Sequence, residues 1–301
     1  MLTILPHRQR KDQSCEEKRS QHPRKQGDQR RRKVPLAALL VERGMFTNLD
    51  EARRWIMAGK VLVNDHCLDK PGMPVPRDAV VRVRGRLRYA SRAGYKLEAA
   101  LEHFAVDVAG QVALDCGAST GGFTDCLLQH GARLVYAVDA GYGQLVGRLR
   151  ADPRVRNLER TNLGDLTPPM LNPPPTLITL DLSYLSLTKV LPLAAKLLAS
   201  QGQVLALIKP LFEVESAGAR RSGRIDDPTL LVEALQCVLE AGVACGLAVQ
   251  GLAKLALRPQ HGVHEFFASF VRCPDCVSRC YDEQALLVIV EGQGIGRAEV
   301  E

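Results

Sequence analysis

From Gln111 onward, short apolar runs alternate with amphipathic stretches. Val112 to Cys116, Leu134 to Asp139, Val155 to Thr161, Leu177 to Leu182 and Gln203 to Lys209 are the runs. Near-continuous apolar runs of this length suit strands covered on both sides, and the stretches between them suit crossover helices. The pattern therefore predicts an α/β fold, a mostly parallel, doubly wound sheet with helices on both faces. Two late runs, Ala248 to Arg258 and Glu265 to Cys273, follow one another with no obvious helix between them and predict a hairpin. That makes seven strands, one of them antiparallel. In such sheets ligands sit beyond the carboxyl ends of the strands, near the point where strand order reverses.

A different pattern precedes this. Leu36, Leu39 and Leu40 with Arg43-Gly44 read as an amphipathic helix ended by glycine, and Asp50 to Ala58 as a second helix capped by Asn48. Val61 to Asp65 reads as a strand and turn, Lys70-Pro71-Gly72 as a turn, and Ala79 to Val83 as a strand. Residues 1–33 are rich in Gln, Arg, Lys and Asp and poor in branched and aromatic side chains, so a disordered arm is expected. The expected organisation is an arm (1–33), a small α+β domain (34–86), a linker (87–91), the α/β domain (92–273) and a C-terminal extension (274–301) of unknown role.

Charge sharpens the picture. The chain of 301 residues has a net charge of +7, unevenly spread. Residues 1–33 hold 11 basic against 4 acidic side chains, residues 34–91 hold 10 against 6, and residues 92–301 hold 19 against 23. A basic front ahead of a near-neutral body implies a polyanionic partner, most simply nucleic acid. No apolar stretch is long enough to span a bilayer and no signal region is seen, so no membrane is expected and the cytoplasm is the expected address. Nine cysteines, an odd number, fit a reducing compartment.

Candidate chemistry gathers at strand ends. After the first α/β strand comes Asp115-Cys116-Gly117-Ala118-Ser119-Thr120-Gly121-Gly122-Phe123-Thr124, opening into a helix expected over Thr124 to His130. Glycines permit a tight turn and a close backbone approach, and the first amides of a helix present unpaired donors. The spacing is neither G-x-x-x-x-G-K-[ST] nor a clean G-x-G-x-x-G, which disfavours nucleotide hydrolysis and leaves a nicotinamide dinucleotide as the second choice. An acidic residue leading the turn, Asp115, suits the ammonium of S-adenosylmethionine. Gly117, Ala118, Ser119, Gly121, Gly122 and Phe123 complete the expected cofactor turn. Asp139 ends the second strand, where a carboxylate can hold ribose hydroxyls, and Asn162 and Asp165 follow the third, placed for an adenine. Asp181 and Lys209 each emerge from an apolar run. They would lie side by side if the fourth and fifth strands are neighbours, and a charge so placed needs a partner.

Residues 34–85, in "LLVERGMF", "EARRWIMAGKVLVND", "KPGMPV" and "DAVVRV", resemble the RNA-binding domain named after small-subunit ribosomal protein S-four. The resemblance implies an RNA-facing set of Arg43, Arg53, Arg54 and Lys60. Lys96, Asp181, Lys209 and Glu265, in "YASRAGYKLEAAL", "ITLDLSYLSL", "ALIKPLFE" and "HEFF", match in order the Lys-Asp-Lys-Glu set of the FtsJ-like RNA 2'-O-methyltransferases. A seven-stranded sheet with one antiparallel strand is also the methyltransferase variant of the doubly wound fold. The whole of residues 34–272 resembles the TlyA family, whose members are named both hemolysin and ribosomal RNA methyltransferase.

The resemblance implies S-adenosyl-L-methionine as cofactor, ribosomal RNA or ribosomal subunits as partner, and a cytidine ribose 2'-hydroxyl as acceptor. Of its four residues, Lys209 is expected to be the base, which requires a lysine pKa lowered from about 10.4, or else to stay protonated and steer the hydroxyl. Lys96 would hold the developing alkoxide, and Asp181 (also near the cofactor) and Glu265 would orient the two amines. Arg88 and Arg92 near the linker, with Tyr89 as a stacking surface, and Arg220 and Arg221 in a presumed loop, would extend the RNA track.

Cys273, Cys276 and Cys280 supply one ligand fewer than a structural zinc site needs, so no metal is expected and the three are read as free thiols. Two other function classes stay open: a noncatalytic RNA-binding or ribosome-assembly factor, and a membrane-lytic hemolysin, which would need an amphipathic or spanning segment.

Overall fold

The computed structural model describes residues 33–46, 48–85, 87–256, 264–273 and 276–296. The expected disorder of the arm falls almost wholly outside these residues. The chain divides into two units at Arg86/Leu87.

The first unit runs β1 (Lys33–Pro35), α1 (Leu36–Glu42), α2 (Leu49–Met57), β2 (Val61–Val63), β3 (His66–Cys67), β4 (Pro74–Pro76) and β5 (Val81–Val83). Strand β1 pairs with β4, and a three-stranded sheet has the order β3-β2-β5. Leu36, Leu40, Phe46, Ala52, Ile56 and Val61 bury its core. Asn48 caps α2 by accepting from Glu51 N at 2.9 Å. The expected strand from Ala79 shortens to Val81–Val83. Ala79 N is spent on a turn bond to Pro76 O, and Val80 N on Asn64 Oδ1.

The second unit runs α3 (Ala93–His103), β6 (Val112–Cys116), α4 (Gly122–Gln129), β7 (Leu134–Asp139), α5 (Gly147–Arg150), β8 (Val155–Glu159), β9 (Leu177–Leu180), α6 (Leu187–Leu197), β10 (Gly202–Ile208), α7 (Ala217–Ser222), α8 (Pro228–Ala244), β11 (Ala248–Lys254), β12 (Phe266–Arg272) and α9 (Glu283–Glu291). Its seven-stranded sheet has the order β11-β12-β10-β9-β6-β7-β8. Strand β12 alone runs against the others, paired antiparallel with β10 and β11. Strand order reverses at β6, which lies between β7 and β9, so the crevice for a ligand opens beyond the carboxyl ends of β6 and β9.

Strand alternation divides the core into two faces. Val112, Leu114 and Cys116 of β6 face α6, α8 and α9, while Ala113 faces α3 and α4. The C-terminal extension is no bare tail. Leu286 and Val290 of α9 are buried with Leu231 and Leu235 of α8, and Ile295 bridges to Leu255 beside β11. Leu286→Ala is expected to cost about 2–5 kcal/mol in chemical denaturation, as deletion of a buried leucine does elsewhere. The free-thiol reading of Cys273 and Cys276 also needs correction: the two are disulfide-bonded, while Cys280 is free and exposed.

Candidate active site

The glycine turn is built by its backbone. Gly117 N and Ala118 N both donate to Val138 O (2.9 and 3.0 Å), which ties the turn to β7. Gly117 has φ +88°, and a side chain there would collide with the carbonyl oxygen of Asp181 at the end of β9. Only glycine satisfies both conditions. Ser119 N donates to Asp139 Oδ2 (2.8 Å) and Gly141 N to Asp139 Oδ1 (2.7 Å), fixing that carboxylate at the rim of the turn. Each oxygen keeps a second acceptor position for a hydroxyl. Asn162 and Asp165, both exposed after β8, bond to each other at 3.3 Å.

One expectation for the turn changes. The helix starts at Gly122, two residues before Thr124, so Gly122 and Phe123 lie in its first turn, buried. Phe123 stacks on Phe267 in the core, and a side chain at Gly122 would strike Ser91 and Ala93 at the start of α3. Both pack inside the fold. Asp115 is enclosed as well. It lies one residue before the strand end on the α4 side, fully buried, accepting from Thr124 Oγ1 (2.6 Å) and Thr179 Oγ1 (3.2 Å). It holds the turn from beneath.

Burial pushes the Asp115 carboxyl up to about 7, outweighing the two hydroxyl bonds. The folded protein thus binds this proton more tightly than the unfolded chain, whose carboxyl titrates near 4. No cost arises while both forms are protonated; the cost grows as pH rises from about 4 to about 7 and is level above. Asp115→Asn is expected to narrow that fall in stability, by up to about 4 kcal/mol at pH 8, in urea titrations of both proteins across pH 4–8.

Beyond the turn, two lysine–carboxylate pairs stand along the same sheet edge. Strands β9 and β10 are neighbours, and Lys209 Nζ lies 2.6 Å from Asp181 Oδ1, the side chains 15% and 17% exposed. Lys209 Nζ also donates to Leu182 O (3.1 Å) and Ser183 Oγ (3.2 Å). Its three donors thus meet three acceptors, which offsets the desolvation of a half-buried ion pair. Lys96 Nζ of α3 spans both oxygens of Glu265, 2.7 Å from Oε1 and 2.6 Å from Oε2. Ile208 pairs with Phe266 in the register of β10 and β12, so Lys209 and Glu265 leave the sheet at one level.

Sequence reasoning missed what holds this loop. Ser183 is one of the acceptors around Lys209, and Glu213 accepts from Ser186 Oγ (2.6 Å) and Leu187 N (3.0 Å). Tyr184, 91% exposed with φ +67°, leans on Phe212 at 5.4 Å between ring centroids. Strained, solvent-facing aromatic residues are uncommon; the signal available in the sequence was Ser-Tyr directly after Asp181 and Leu182.

The expected RNA contacts fare unevenly. Arg53 is paired with Asp50, and Arg43 donates to Arg77 O. Arg54 and Lys60 line a surface pocket with Trp55. Arg88 is paired with Glu98, and Arg92 is exposed at the start of α3. Tyr89 is buried and donates to Glu98 (2.8 Å), so it offers no stacking surface. Arg220 and Arg221 are exposed on the short helix α7, not on a loop. Among the described residues no cluster of His, Cys, Asp and Glu could hold a metal ion, and no helix is long and apolar enough to cross a membrane.

A parallel sheet closed at one edge by a reversed β12, with a glycine turn at its switch point, defines the second unit as a Rossmann-like methyltransferase domain. Comparison with known proteins agrees: residues 89–272 match the FtsJ-like methyltransferase family, and residues 34–81 match the S4 domain. A Mycobacterium tuberculosis protein named 16S/23S rRNA (cytidine-2'-O)-methyltransferase TlyA is 38% identical over 78% of this chain and 89% of its own. Hemolysin A of Brachyspira hyodysenteriae is 36% identical over 76% and 95%. A solved Streptococcus thermophilus structure, provisionally titled a hemolysin, is 36% identical over 86% of this chain and 94% of that one, with a TM-score of 0.64. The chain belongs to the FtsJ-like methyltransferases, in the TlyA family that joins an S4 domain to the catalytic fold.

Proposed function

We propose that this protein methylates a ribose 2'-hydroxyl of ribosomal RNA, that of a cytidine, with S-adenosyl-L-methionine as donor. The observation that carries the reading is the juxtaposition of the Lys209–Asp181 pair with the glycine turn, Gly117 lying against the carbonyl of Asp181. The names of the relatives support the substrate. The residues present fit the cofactor. The backbone of Gly117 to Gly121 has the close-approach geometry, Asp139 has acceptor positions for ribose hydroxyls, and Asn162 and Asp165 are exposed beside it for an adenine. Bound there, the cofactor would supply an activated methyl group.

The residues of the chain would do the rest. A neutral hydroxyl attacks poorly unless its proton leaves during attack. Lys209 is placed to meet the oxygen and Lys96 to add positive potential for the developing alkoxide, while Asp181 and Glu265 fix the two amines. Lys209 has two candidate roles, base or anchor of the oxygen, and in either the substrate oxygen takes the place of one of its three acceptors. A pH–rate profile separates them: a base imposes a rising limb that Lys209→Arg abolishes, whereas an anchor tolerates arginine in part.

The S4 domain, through Arg43, Arg53, Arg54 and Lys60, would capture the RNA, and a ribosomal substrate places the protein in the cytoplasm. The test is transfer of labelled methyl from S-adenosylmethionine to purified small and large ribosomal subunits, with the label located on ribose after nuclease digestion. Labelled ribose is the expected result. Cofactor binding without label on either subunit would leave a noncatalytic RNA-binding factor, and release of dye from liposomes would favour the hemolysin.

A further inference from the structure

We infer that the S4 domain carries a pocket for one unpaired RNA base, with Trp55 as its stacking platform and Arg54 and Lys60 as its phosphate clamp. This rests on RNA being the substrate class, and goes beyond backbone capture by assigning a base to a site.

The pocket is a wide-open surface depression of about 760 Å³. Its lining residues Asn48, Glu51, Arg54, Trp55 and Ala58 recur at helical spacing along one face of α2, and Lys60 closes one end. The end of α2 explains how Lys60 arrives there. Gly59 takes φ +66° and donates to Ile56 O (2.9 Å), and Lys60 N returns to Trp55 O (3.1 Å). That paired set of bonds is the Schellman motif, and it folds the residue after the helix back toward the indole. Trp55 is held as well: it packs against the core beside buried Phe46, ring centroids 6.0 Å apart, and still lines the pocket.

The half-buried indole, braced from behind, presents an aromatic edge or face to the pocket at little conformational cost. Arg54 and Lys60 are exposed, and neither forms an ion pair among the described residues, unlike Arg53 with Asp50 and Arg77 with Glu42 on the same unit. Two cations flanking an aromatic face are what single-stranded nucleic acid needs, a π-surface for the base and positive charge for the adjoining phosphates. A duplex keeps its bases stacked on each other and has none to give. The occupant is thus a nucleotide of a loop, bulge or splayed end. Glu51, also in the lining, is negative like a phosphate and would repel it, which leaves the phosphate to the Arg54 and Lys60 side.

The chain contains a single tryptophan, so its fluorescence reports on this pocket alone. The full-length protein is titrated with a short unstructured RNA oligonucleotide and with an RNA duplex of equal length, following tryptophan emission and, separately, anisotropy of labelled RNA. Saturable quenching by the single strand and none by the duplex is expected. Trp55→Leu should weaken single-strand affinity about tenfold and Trp55→Phe should restore most of it. Arg54→Gln with Lys60→Gln should flatten the dependence of log affinity on log salt by roughly one to two. The pocket is overturned if the single strand binds by anisotropy without quenching, if the duplex quenches equally, or if Trp55→Leu binds as tightly as the parent. Any of these with methyl transfer intact removes the pocket alone; quenching without methyl transfer removes the enzymatic reading alone.

Discussion

Lys209→Ala is expected to lower methyl transfer to ribosomal RNA by about 10²- to 10⁴-fold, the range typical for removing a group that manages proton or charge at the reacting atom. Cofactor affinity should stay within about threefold, because the turn that would hold the cofactor is built from β6 and β7 and does not use the amine. Asp181→Ala should cost as much activity and some stability too. It strips the counter-charge from a lysine only 15% exposed, and an orphaned half-buried charge is destabilising where the intact pair is not. Single-turnover methyl transfer with isothermal titration of S-adenosylmethionine reads both quantities. A Lys209→Ala protein that transfers normally, or that fails only because it no longer binds cofactor, would overturn the assignment.

The second large effect is expected at Gly117→Ala. A residue other than glycine at φ +88° is strained by about 1–2 kcal/mol. The added methyl would also need space that the Asp181 carbonyl occupies, so the turn or the end of β9 must shift. Either movement displaces the Lys209–Asp181 pair relative to the cofactor turn, and misplacement by about an ångström can cost on the order of 100-fold in rate. Loss of at least that much methyl transfer is expected, with cofactor affinity weakened about tenfold or more. Gly110→Ala is the control: it has φ +72° but faces open space, so it should carry the backbone strain without the loss of activity. If the two variants behave alike, strain alone is at work and the turn does not position the pair.

Much of this site was legible because sheet chemistry is strict. A charge that ends an apolar run must leave at a strand end, which is why Asp139, Asp181 and Lys209 could be placed on one edge from the chain alone. Alternation along β6 was the harder part. The strand Val112 to Cys116 was readable from the chain, but the face Asp115 takes depends on the Thr124 and Thr179 hydroxyls that donate to it from two other elements. The start of α4 was also displaced, by two residues, to Gly122. Tyr89 looked like a free aromatic among arginines, but the Glu98 that buries its hydroxyl is a turn of helix and a bend away, a tertiary relation with no local signature. The contribution of α9 was hidden because it depends on β11 offering an apolar flank.

The Lys96–Glu265 bridge joins residues 169 positions apart, one on the first helix of the catalytic unit and the other at the start of the strand that completes its sheet. A chain still emerging from a ribosome therefore holds Lys96 long before Glu265 exists, and it has the glycine turn before it has β12. The complete set of charges comes into being only when the reversed strand is threaded between β10 and β11. Competence to act on RNA is in this sense a report that the domain has finished folding, and an unfinished copy does not carry the full set with which to modify the particle that is making it.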